Sequence, residues 1–102
     1  MKEKESYVGI HNDLYGGMTD IGKIIRDAWA FGLIPESETC QGWRAQGIES
    51  LWEKVQSCWA QHQFSVGNLP DDIQQRYLRI QSQAIERARS LGWNPELDVD
   101  EE

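Results

Sequence analysis

GGMTDIGK, residues 16–23, admits two readings that lead to different folds. From Gly17 to Lys23 it spells G-x-x-x-x-G-K, the core of a phosphate-binding loop and the mark of a parallel α/β domain. Alternatively, Gly16-Gly17 is a turn, Thr19 is an N-cap, and an α-helix follows. A phosphate loop needs a buried strand before it and a hydroxyl residue after the Lys to hold Mg²⁺. Here Ile24 follows Lys23, and HNDLYGG (11–17) does not read as a buried strand. Nothing else in the chain supplies a βαβ pattern. Ile21, Ile24, Ile25, Ala28 and Gly32 share one helical face, which places Gly22 and Lys23 inside that helix. The helical reading therefore stands, with Asp20 at the favourable dipole end. Gly22 costs this helix about 1 kcal/mol relative to Ala and leaves room for a neighbouring element. Trp29 falls on the flank of the stripe, and Lys23, Arg26, Asp27 and Ala30 on the opposite side. Gly32 and Pro35 end the helix.

Working outward, residues 33–43 (LIPESETCQGW) read as a loop. A second helix is expected over about 44–62, with Ile48, Leu51, Trp52, Val55 and Trp59 as its apolar stripe and Glu49 and Glu53 facing out. FSVGNLPDD connects to a third helix opened by Asn68 or Pro70. In that helix Ile73, Tyr77, Ile80, Ala84, Ala88 and Leu91 recur every three or four residues, the cleanest stripe in the chain. Asp72 and Arg76 form an i, i+4 pair in the favourable order. Gly92 suits the C′ position, Trp93 can pack back as C″, and Pro95 stops the chain. These elements specify an all-α fold, a small three-helix bundle with an ordered N-terminal loop and a disordered acidic C-terminal tail. The domain reading is a flexible N-terminus at 1–6, a single helical domain at 7–95 and an acidic tail at 96–102.

The net charge of −7 is uneven. Glu96, Asp98, Asp100, Glu101 and Glu102 make the tail strongly acidic and leave the body nearly balanced. With no basic excess, neither nucleic acid nor an anionic membrane is an expected partner. No apolar run approaches the length of a membrane span. The first residues, MKEKESYVGIHND, contain no apolar signal region, so a cytoplasmic location with reduced cysteines is expected.

The soft metal ligands are His11, Cys40, Cys58 and His62. Cys58 and His62 are spaced to share a helix face, but the other two give no standard zinc spacing. Cys40 sits beside Glu36 and Glu38, the wrong charge for an activated thiol. No catalytic set and no cofactor motif emerges. On the third helix, Arg76, Arg79 and Arg87 form a basic face, and Leu78 and Ile85 make a second, weaker apolar stripe. Leu78, Ile85, Trp43 and Trp29 are the candidate interaction residues. The expected function is non-enzymatic contact with a protein partner or a second copy of the chain. The alternative is a small-molecule or metal site between loops 11–17 and 35–43, using His11, Asp13, Glu38 and Cys40.

HNDLYGGMTDIGKIIRDAW, FGLIPESETCQGW and the LPDDIQQRY helix together resemble a family of small uncharacterised bacterial proteins. The similarity spans roughly residues 7–97. It implies a bacterial, cytoplasmic origin, and it carries no reaction, cofactor or partner onto any residue.

Overall fold

A computed structural model describes residues 6–94. The acidic tail and all but the last residue of the expected flexible N-terminus lie outside the described residues. The fold is all-helical, with α1 at Asp20–Ala30, α2 at Ala45–Ala60 and α3 at Asp71–Ser90. Among the described residues there is no β-strand. Short 3₁₀ turns occupy Ile10–Asn12, Leu14–Gly16 and Val66–Asn68.

The ends of α1 and α3 follow the local chemistry of the sequence. Thr19 Oγ1 accepts the amide of Gly22 at 3.0 Å and caps α1. Lys23 lies within α1 and pairs with Asp27, so no phosphate cradle forms at Gly17–Lys23. At the far end of α3, Gly92 takes φ +102, its amide reaches Arg89 O, and the Trp93 amide reaches Ala88 O at 2.9 Å. Those two bonds are a Schellman cap, with Gly92 at C′ and Trp93 at C″.

α1 is the middle helix and packs against both α2 and α3. Ile25 and Ala28 from α1 join Ile48, Leu51, Val55 and Trp59 from α2 in the core, with Ile10, Cys40 and Leu69 from the connecting segments. The Trp59 ring meets both Phe31 and Tyr77 edge-on. This central position overturns the expected outward face of α1, because Arg26, Asp27 and Ala30 are all buried. Arg26 donates to Gly17 O at 2.6 Å and to Gln81 Oε1 at 3.3 Å. Asp27 Oδ2 accepts Trp59 Nε1 at 3.1 Å. Gly22 is where the N-terminal loop crosses the helix, and a Cβ there would overlap the carbonyl group of Gly17.

Three further expectations are corrected. Trp52 is not part of the α2 core stripe but 45 % exposed. Leu91 lies past the end of α3 and is also exposed. Arg76 does not pair with Asp72; its Nε donates to Ala30 O at 3.0 Å, satisfying a carbonyl at the end of α1.

The N-terminal loop is ordered over the bundle. Tyr7 N donates to Trp43 O, Gly42 N to Tyr7 O, and Ile10 N to Thr39 O. Loops 7–17 and 35–43 are thereby brought together, although nothing in their sequences has a period that announces it.

Candidate functional site: an apolar groove

The joining of these two loops leaves a groove of about 610 Å³ between residues 6–8, the start of α1 and the first turns of α2. Tyr7, Val8, Ile21, Ile24, Trp43 and Trp52 supply most of its apolar wall. Trp43 is half-buried, and its ring lies over Gly47 on the first turn of α2, 3.4 Å from where a Cβ would sit, an ordinary contact distance. Trp52 projects into solvent beside Glu49 and Glu53, which are also exposed.

The polar end of the groove is Asp13. Its Oδ2 accepts Tyr7 OH and Thr19 Oγ1, each at 2.6 Å, and its Oδ1 accepts the Leu14 amide at 2.7 Å. Burial works to raise the Asp13 pKa, but the bonds from Thr19, Tyr7 and Leu14 outweigh it and hold the carboxyl below its ordinary value. Burial, and then the hydrogen bond to Asp13, push the Tyr7 phenol well above its ordinary value. The two groups most suited to proton transfer are therefore committed to each other: the carboxylate is a weak base and the phenol a weak acid.

The expected loop site does not assemble around a usable thiol. Cys40 is fully buried, and burial followed by the charge of Glu38 pushes its pKa up to about 11. Glu38 is spent on the loop itself: Oε2 accepts the Cys40 amide, and its carbonyl accepts Trp29 Nε1 at 3.0 Å. His11 is exposed and borders a different, smaller cavity with Arg26 and Arg87. Cys58 sits in the last turn of α2, but His62 lies in the turn beyond the helix end, where its ring stacks on Phe31. Both cysteines are free thiols. Among the described residues no three His, Cys, Asp or Glu side chains are grouped to hold a metal ion.

The interaction residues divide. Trp43 lines the groove, whereas Trp29 packs against the core and is hydrogen-bonded to the 35–43 loop. Leu78 and Ile85 are exposed on α3, away from the groove. Of the basic face, Arg79 is engaged in a two-pronged ion pair with Glu36, its NH2 group 2.8 Å from Oε2. Sequence reasoning missed Tyr7, Val8, Trp52 and the Tyr7–Asp13–Thr19 network as one site. Tyr7, Asp13 and Thr19 are each six residues apart, a spacing with no helical or strand period to join them.

Fold and groove together define a small all-helical domain with an apolar, aromatic-walled recess. Comparison with models of known families, with curated proteins and with solved structures finds no match for this chain. Among the described residues no helix is long and apolar enough to cross a membrane.

Proposed function

We propose that this protein acts without catalysis, by seating an apolar segment of a protein partner in the groove walled by Trp43 and Trp52. The carrying observation is Trp52: a large aromatic ring held at the rim of an apolar groove and left in solvent by its own fold. Aromatic anchors beside a desolvated recess are what interfaces use. Glu49 and Glu53 next to Trp52 favour a partner segment with basic residues flanking its apolar anchor. Leu78 and Ile85 are exposed but line no part of this recess, so the groove is the favoured contact. A small apolar ligand is the second reading, because the groove volume lies in the range of about 300–1,000 Å³ common for such sites.

The test is a photo-crosslinking residue at position 45, an exposed position on the groove's border, in cells, followed by mass spectrometry. One protein crosslinked through position 45, and lost on Trp52→Ala and on Trp43→Ala, supports the reading; a second copy of this chain would make the groove a dimer contact. Crosslinks unchanged by Trp43→Ala but abolished by Leu78→Asp with Ile85→Asp would move the contact to α3. A small molecule carried by the wild type in native mass spectra, and lost in the Trp43→Ala variant, would favour the ligand reading.

A further inference from the structure

A further cavity, of about 290 Å³, shares no residue with the groove; Lys23, Asp27, Trp59, Phe64 and Tyr77 are among the residues that border it. Asp27 is 2 % exposed, and its Oδ1 is buried without a hydrogen-bond partner. Such an orphaned acceptor costs stability and calls for an explanation. Oδ2 has two donors, Trp59 Nε1 and Lys23 Nζ, each at 3.1 Å. They differ in kind. Trp59 is fixed in the core, whereas the Lys23 side chain is 60 % exposed and can leave. The pair also runs from Lys at i to Asp at i+4, the weaker order on a helix.

Three aromatic rings border the cavity, with Gln56 and Val66 completing it. Trp59 and Tyr77 stand edge to face, with centroids 5.6 Å apart at 89°. Phe64 is 62 % exposed at the cavity's border. Gln63 and Phe64 both adopt positive φ, 54° and 55°, where side chains are strained. The strain follows from how α2 ends: the Phe64 amide returns to Trp59 O and the Gln63 amide to Ala60 O, a Schellman cap with Gln in place of Gly. It sets the Phe64 ring at the border of the cavity that Asp27 also lines.

Oδ2 already holds one ammonium on an alkyl stem, that of Lys23, at a cavity bordered by three aromatic rings, so the site matches a free ammonium head on an alkyl stem. We propose that this cavity binds a primary alkylammonium, with Asp27 as its anionic partner, Trp59, Tyr77 and Phe64 around its stem, and Lys23 as the internal competitor it displaces. The proposal is independent of the groove.

The experiment titrates the full chain with n-butylammonium chloride at pH 7.5, following the Trp59 indole N–H by NMR, with sodium chloride at equal ionic strength and n-butanol as controls. The expected result is a saturable shift with the amine alone. Lys23→Met, at an exposed position, is expected to tighten binding at least threefold by removing the competitor. Phe64→Ala is expected to weaken it by a similar factor, and Asp27→Asn to abolish it. No saturable shift in either the wild type or Lys23→Met overturns the proposal. Unchanged affinity in both Lys23→Met and Phe64→Ala does the same, even if Asp27→Asn fails to fold.

Discussion

Replacing Gly22 by Ala sets helix propensity against tertiary packing in one substitution. Within a helix, Gly→Ala favours the folded state by about 1 kcal/mol. At this position the new methyl would occupy the space of the Gly17 carbonyl group, which is backbone and cannot swing aside as a flexible side chain does. Overpacking of this kind costs about 1–3 kcal/mol. If the 16–17 turn moves away to relieve it, Gly17 O leaves Arg26, a buried cation that donates to it at 2.6 Å. A hydrogen bond to a charged group is worth about 1.5–3 kcal/mol. The two losses are partly alternatives, since one movement relieves the first and causes the second. The net expectation is a destabilisation of about 2 kcal/mol after the propensity gain. At about 4–8 °C per kcal/mol for a domain near this size, the melting temperature falls by roughly 8–16 °C. Thermal unfolding followed by circular dichroism measures the fall, and urea unfolding measures the free-energy difference. Gly47→Ala is the matched control: it lies in α2, and its nearest neighbour would be the Trp43 ring at 3.4 Å. That variant is expected to match the wild type or gain up to about 1 kcal/mol. A Gly22→Ala protein as stable as Gly47→Ala would refute the reasoning, because propensity alone would then describe both sites.

Three other outcomes are expected. Trp59→Ala should destabilise by about 3–5 kcal/mol, as a buried aromatic truncation does, while the exposed Trp52→Ala leaves the unfolding midpoint nearly unchanged; equal losses would place Trp52 in the core. Pulsed iodoacetamide labelling with peptide mapping should modify half-buried Cys58 first, and Cys40 only as fast as the protein opens, since its thiol is sealed and pushed up to about 11; rapid labelling of native Cys40 would contradict this. Because the Asp13 pKa is depressed in the folded state, its contribution is fully present above the unfolded value of about 4 and is lost as pH falls through the lower folded value. Asp13→Asn should therefore flatten the decline in stability below about pH 4, and identical urea midpoints against pH for variant and wild type would count against the network.

Much of the helical skeleton is written in local chemistry. Thr19 caps α1, Gly92-Trp93 closes α3, and the stripe from Ile73 to Ala88 orients the third helix, because caps and helical periods act within a few residues. The absence of a phosphate loop is equally local: Lys23 belongs to a helix, and among the described residues no strand precedes it. Tertiary structure alone decided what periodicity is blind to. A helix between two others buries a second face, and polar groups of that face find partners from afar: Arg26 in Gln81 and Gly17, and one Asp27 oxygen in Trp59. It also turned Trp52 outward and joined residues 7–10 to 39–43, which sets Tyr7 and Trp43 on the groove wall. A stripe says which residues prefer to be dry, whereas the neighbouring elements determine which of them become so.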